Sequence, residues 1–179
     1  MGDTYAVNEV TPKTIFRLEE EGRHQHATSR EQYIESALGY QPYGRPVAQA
    51  DATSKVLSLA DGADFDGFLG STVVDEDVKR NFEARSGSKA LNAVFFDQAV
   101  TLFTGHGLIS VGNGSETDTD KQLLHSSIVN TLTKGTPIKL VDGKFEEASA
   151  GDVIWFEYVE EVSTGVFRFR WLQNSYIMP

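Results

Sequence analysis

From Gly44 onward the chain is a succession of short apolar runs cut by turn residues, and no other feature constrains its fold as much. SKVLSLA, FDGFLGSTVV, ALNAVFF, QAVTLFT, GLISVG, TPIKLV, DVIWFEYVEEV and VFRFRWL are strand-like, with DGAD, GHG, GNGSETDTD, VDGK, SAGD and STG between them. Runs rich in β-branched and aromatic residues, bounded by Gly, Asn, Asp and Ser, predict strands joined by tight turns. The last pair is the clearest. In DVIWFEYVEE, Val153, Trp155 and Glu157 alternate with Ile154, Phe156 and Tyr158. Across STG, Val166, Arg168 and Arg170 alternate with Phe167, Phe169 and Trp171. A strand with one aromatic and one arginine face is half buried. The expected fold is mainly β, a small β-barrel.

One phrase is written twice. GRPVAQADATSKVLSLADGADFDG (44–67) returns as GTPIKLVDGKFEEASAGDVIWFEY (135–158). Gly44-Arg45-Pro46-Val47 aligns with Gly135-Thr136-Pro137-Ile138, and Lys55-Val56 with Lys144-Phe145; Gly62 and Gly151 each follow seven residues after their lysine. The shared frame is a G-x-P opening, a strand, a turn, a second strand and a glycine corner. Asp61, Asp64 and Asp66 have the look of calcium ligands. The second copy keeps only Asp152 near the matching corner, so the acids read as turn residues within a recurring frame.

Residues 1–43 differ in texture and read as an extended N-terminal arm ahead of a barrel domain at 44–179. Isolated apolar residues (Tyr5, Val7, Val10, Ile15, Phe16, Leu18) stand among polar ones. One short helix is expected in the arm. Ser29 and Gln32 form a capping box, Tyr33, Ile34, Ala37 and Leu38 form a stripe, and Gly39 ends it. The stretch 75–89 fits either a helix or an excursion between strands, and 121–133 either a short helix or a strand. Residues 112–120 read as an exposed loop tip.

Composition removes several classes of function. A chain of 179 residues with 40% apolar content has enough material for one core. Cysteine is absent, which excludes disulfides and thiolate metal sites. The net charge is −10 and no third of the chain is net basic, which argues against nucleic acid as a partner. No run approaches the roughly 20 apolar residues of a membrane helix, and MGDTYAVNEV lacks the regions of a signal peptide. Synthesis in the cytoplasm, with no membrane association, is the expectation.

Catalytic and metal patterns are thin. His24 and His26 would share a face of an extended arm and suit zinc, but no third ligand follows at a fitting spacing, although folding could bring His106 or His125. Ser110, His106 and Asp97 make a triad by residue type alone, without a nucleophile elbow. GNGSETDTD lacks the lysine and helix of a phosphate loop. The chain is therefore expected not to be an enzyme and to carry no cofactor.

The grammar of 44–70, G-x-P-V, a polar gap, K-V-x-x-A, an Asp/Gly turn and G-x-L-G, resembles the decoration (cement) proteins of tailed-bacteriophage capsids, and 135–172 follows it less closely. The resemblance implies a β-tulip barrel that forms a homotrimer on the virion surface and extends N-terminal arms over the major capsid protein. It implies that Ile15, Phe16, Leu18, Tyr33, Ile34 and Leu38 are anchors and that Tyr40 and Tyr43 fix where the arm meets the barrel; Arg168 and Arg170 either pair with carboxylates of a neighbouring subunit or form the wet face of a strand. Two other readings stay open: another virion component, such as a head-fibre base or tail protein, and a calcium- or sugar-binding β module using 61–66 and 112–120.

Overall fold

A computed structural model describes residues 14–28, 33–34, 41–49, 56–72, 93–94 and 100–179. Twelve strands are described: β1 (Ile15–Thr28), β2 (Tyr33–Ile34), β3 (Gln41–Pro42), β4 (Pro46–Gln49), β5 (Val56–Leu59), β6 (Gly67–Thr72), β7 (Ala93–Val94), β8 (Val100–Gly112), β9 (Pro137–Val141), β10 (Lys144–Glu147), β11 (Val153–Ser163) and β12 (Val166–Ile177). One 3-10 turn spans Thr119–Lys121. The main sheet runs β10-β9-β11-β12-β8-β6-β4-β5-β2, with β1 on β8, and β3 pairs β7 separately. All the pairings are antiparallel except the short β2–β5 contact. The result is a curled half-barrel, the mainly β class that the run-and-turn pattern predicts.

The repeated phrase folds the same way twice. In each copy the first strand lies between the next two: β4 pairs both β5 and β6, and β9 pairs both β10 and β11. Gly44 N donates to Leu69 O at 2.8 Å, and Gly135 N donates to Tyr158 O at 2.8 Å. The return bonds are Leu69 N to Arg45 O (2.9 Å) and Tyr158 N to Thr136 O (2.9 Å). Gly44 and Gly135 have φ of 82° and 91°, a region that residues with a Cβ rarely adopt. Backbone chirality at the opening is thus the conserved part of the frame.

β8 joins the two copies. Its Val100–Phe103 end takes β6, its Gly107–Gly112 end takes β12, and β1 pairs along it from Thr101 to Gly112. The GHG signal, expected as a turn, lies inside this strand. Gly105 (φ 130°) and Gly107 (φ 138°) bend the chain without reversing it, and the β1 register breaks opposite, between Leu18 and Gly22. Glycine inside a strand relieves a bend as well as it makes a turn.

The concave face holds an aromatic core. Phe68 lies 4.9 Å from Phe16, 4.8 Å from Trp171 and 5.8 Å from Phe156, ring centre to ring centre, and Phe145 stacks on Phe169 at 5.1 Å. Ile109, Val111, Ile138 and Leu140 complete it. A smaller cluster, Val47, Leu57, Leu69 and Leu102, lies under the first copy. The alternation expected for the last hairpin is present from Phe167 on: Ile154, Phe156, Tyr158, Phe167, Phe169 and Trp171 are buried and Arg170 is exposed, whereas Val166, expected on the arginine face, is buried too.

Three local expectations meet a different outcome, and a fourth falls outside the described residues. Beyond Lys121, which ends the 3-10 turn, the stretch 121–133 forms neither helix nor strand. Leu124 bridges Phe145, and hydrogen bonds from Phe145 N to Leu123 O and His125 N to Phe145 O hold the segment beside β10. Tyr33 and Ile34, expected on a helix, pair with Val56 and Leu57 as β2, while the rest of that helix lies outside the described residues. Residues 15–28, assigned to the arm on texture, are in the sheet as β1. The stretch 75–89 lies outside the described residues.

Candidate interaction surfaces

The most demanding side chain in the fold is one that the pattern of motifs does not single out. Arg45 follows the G-x-P glycine and is 0% exposed. Its Nε donates to Gln41 Oε1 (3.0 Å), its Nη1 to Gln122 O (2.8 Å) and Gly143 O (3.1 Å), and its Nη2 to Asp120 O (2.7 Å). Burial pulls its guanidinium down to about 10, against the opposing pull of Asp120 and Asp118. It remains charged at neutral pH and ties the first copy to the hairpin turn of the second. Its match in the second copy is Thr136, so sequence comparison of the copies marks the position as variable.

Residues 112–120 are mostly exposed, as expected of a loop tip, but Glu116 is buried and the loop is fastened from beneath, in part by Arg45. The Glu116 carboxylate accepts from Asp118 N (2.9 Å), and its carbonyl accepts from Gln122 Nε2 (3.0 Å). Asn113 mimics a strand partner for Leu124, accepting from its N at 2.8 Å and donating to its O at 3.0 Å. Side-chain amides and carboxylates replace the backbone ladder here.

The outer face carries a polar row across four strands. Arg17, Ser110, Arg168 and Glu160 lie in register on β1, β8, β12 and β11. The Ser110 hydroxyl donates to Glu19, and the Arg168 guanidinium donates to Glu160 and lies 3.9 Å from Glu19. Arg168 Nε is buried and has no hydrogen-bond partner among the described residues. Ser110 is thus bound to a carboxylate of the first strand; Asp97, its supposed triad partner, lies outside the described residues.

Beyond Trp171, β12 leaves β8. Its pairing with β8 stops at Trp171↔Gly107, and among the described residues no strand takes that side of Leu172–Ile177. A cleft of about 330 Å³ opens at this fork, lined by His106, Leu108, Arg170, Leu172 and Gln173. The run LQNSYI bears no charge, and Tyr176 and Ile177 are 40% and 69% exposed. Behind the fork, Phe65 packs edge-on to Trp155 (5.3 Å), and Trp155 Nε1 donates to Gly62 O at 3.0 Å. A second concavity, about 390 Å³, lies between Ile15, Asn113, Ile128, Asn130, Glu161 and Phe167.

The repeated-frame acids do local work. Asp61 and Asp64 close a two-sided backbone bridge, and Asp66 accepts from Gln49 N at 2.6 Å. Asp152 accepts from Ser149 N (2.7 Å) and from Lys139 (3.1 Å), which hold its carboxyl below the usual range. Among the described residues no group of three or more His, Cys, Asp or Glu is placed to hold a metal ion. Nor is any helix there long and apolar enough to cross a membrane.

Of the expected contact residues, Phe16 is 8% exposed, with its ring 5.7 Å from Tyr43 and 6.4 Å from Phe103. Leu18 packs beside it, and Ile15 lines the second concavity. Burial in this environment pushes the Tyr43 phenol up. Arg168 has its two glutamates, Arg170 lines the fork, Tyr33 and Ile34 are in β2, and Leu38 and Tyr40 lie outside the described residues. The structure therefore gathers Phe16, Leu18 and Tyr43 in one place and leaves the two arginines on the outer side of the sheet. The class defined is a half-barrel with a strand edge that no other strand covers among the described residues. No protein-family model, curated protein or solved structure matches this chain.

Proposed function

We propose that this chain is a structural protein of a tailed-phage head, a decoration protein that joins with copies of itself, as a trimer, and binds the outer surface of major capsid subunits. The observation that carries this reading is the uncharged Leu172–Ile177 edge of a half-open sheet, with Tyr176 and Ile177 exposed. An exposed strand edge is a template for another chain, and soluble proteins ordinarily blunt it with charge, proline or cover. A chain of net charge −10 that leaves such an edge neutral has a surface suited to protein contact. The resemblance of 44–70 and 135–172 to cement proteins supports the same reading. Contacts of this kind work by area, at roughly 1,200–2,000 Å² per stable interface, multiplied by the many copies on a shell.

The test is mass by light scattering, then co-sedimentation with empty heads, for the parent chain and Ile177→Lys. A species of about three chains that pellets with heads, weakened by the lysine, is the expected outcome. A chain that stays in the supernatant with every head offered overturns the assignment. The concavity by Asn113, Asn130 and Glu161 favours one other reading, a sugar-binding module. A rise in thermal midpoint with millimolar oligosaccharide and none with heads would select it.

A further inference from the structure

We propose that a bulge in β12 is a binding site for a carboxylate carried on a small apolar body, with Arg170 as its anchor. The site stands whether or not the chain belongs to a phage head.

Strand register builds the site. Between the pairs Phe156↔Trp171 and Ile154↔Tyr176, β11 has one residue and β12 has four, 172–175. The surplus lifts β12 off β11 at the point where it has already left β8. Bulges end pairing and re-aim side chains, and they gather beside binding sites for that reason. Here the bulge adjoins the cleft of about 330 Å³. At ~30 Å³ for each water displaced, a ligand of roughly ten non-hydrogen atoms fits.

Charge says what the cleft takes. Arg168, two residues earlier on the same face, has Glu160 and Glu19 as partners. Arg170 has no ion pair among the described residues, although Glu157 is its registered partner across β11. Burial pushes the Tyr176 phenol up, and the charge of Glu157 adds to that rise. Glu157 thus lies towards Tyr176 and leaves the guanidinium uncompensated. In a chain of net charge −10, an arginine kept clear of acids in a cleft is suited to an acid from outside. Its planar fork takes a carboxylate through two parallel N–H bonds. His106 and Gln173 bring further donors to the lining, while Leu108 and Leu172 supply apolar contact. A few polar groups set in apolar surface are the ordinary make-up of a small-ligand site. Phosphate would leave both leucines uncovered, whereas a carboxylate on an aliphatic stem meets them.

The probe is N-acetyl-leucine, with N-acetyl-leucinamide as its uncharged match and inorganic phosphate as a bare oxyanion. Each is titrated into the deuterated, nitrogen-15-labelled full-length chain while the amide resonances are followed. The acid is expected to shift residues 106–108 and 170–173 and to saturate at roughly millimolar concentration, as suits a small open site. The amide and phosphate should bind about tenfold more weakly or worse. Arg170→Gln should weaken the acid about tenfold, and Arg170→Lys should restore part of the loss. Gln173→Glu sets a carboxylate into the cleft from an exposed position; it should block the acid too, and it serves if Arg170→Gln disturbs folding. Equal binding of acid and amide, unchanged affinity in both the Gln and Glu variants, or shifts confined to other residues overturns the assignment. So does phosphate that binds as well as the acid, since the cleft would then be a general anion site. A chain that takes the acid at this cleft and ignores heads would uphold the site and sink the proposed function; one that pellets with heads and ignores the acid would do the reverse.

Discussion

Replacing Arg45 with methionine keeps much of its length and removes its charge and five donors. Four acceptors then lose their partner: Gln41 Oε1 and the carbonyls of Asp120, Gln122 and Gly143. Hydrogen bonds to a charged donor are worth about 1.5–3 kcal/mol each, so the gross loss is on the order of 6–12 kcal/mol. Burial of the guanidinium opposes this. Its fall to about 10 corresponds to roughly 3 kcal/mol. The difference, trimmed because carbonyls near the surface at Asp120 and Gln122 will recruit water, leaves a net cost of about 3–5 kcal/mol, in the range found for breaking buried ionic contacts. Urea unfolding followed by tryptophan fluorescence reads it directly, since Trp155 and Trp171 lie within the half-barrel. The midpoint should fall with little change in slope, and the thermal midpoint should drop by about 6–20 °C. Arg45→Lys should recover only part of the loss, because one ammonium cannot span four acceptors. A methionine variant within about 1 kcal/mol of the parent would refute the reasoning: the clamp would then be worth no more than its own desolvation.

Other expectations use the same two assays. Gly44→Ala and Gly135→Ala place a Cβ at matching left-handed positions, yet Gly135 faces open space and Gly44 faces Phe16. Gly135→Ala should cost about 1–2 kcal/mol and Gly44→Ala roughly 2 kcal/mol more; equal losses would mean that the Phe16 slot yields freely. Trp155→Phe should lose about 1 kcal/mol with its bond to Gly62, and an unchanged urea midpoint would show that bond to be idle. The Asp152 carboxyl is held low by Ser149 N–H first and Lys139 second. The ionised form is thus favoured by folding; its contribution is present above the usual carboxyl value of 3.8 and fades as pH falls through the lower folded value. Asp152→Asn should be less stable than the parent at pH 7, with the gap narrowing as pH falls below 3.8. A gap that stays the same size would contradict that assignment.

What the sequence made legible follows from which forces are local. Turn chemistry is local, and VDGK, SAGD, STG and DGAD all fall where the chain reverses; Asp142 (φ 48°) and Gly143 (φ 67°) show why the first of these needed its glycine. Period-two alternation is local too, so the buried faces of β11 and β12 could be read in advance. The repeat was legible because its glycine and proline positions set backbone geometry. Bends inside a strand escaped, because Gly105 and Gly107 carry the same signal as a turn and only the pairing of β8 with β1, β6 and β12 decides between them. Arg45 escaped for a different reason. Its acceptors lie up to 98 residues away, and an arginine beside a glycine looks solvated until the carbonyls that surround it are in place. The same holds for Asn113 and Glu116, polar residues in what reads as a loop tip and are instead fastened to Leu124 and the 3-10 turn.

The arrangement of β8 also sets an order in time. β1 leaves the ribosome early, but the strand against which it pairs ends at Gly112, roughly a hundred residues later. At a synthesis rate of about 5–20 residues per second, Phe16 spends some 5–20 s without its pocket, and longer if β12 must first brace β8 from the other side. The first long strand of the sheet thus waits for the eighth, and its placement is set by a partner that is made long after it.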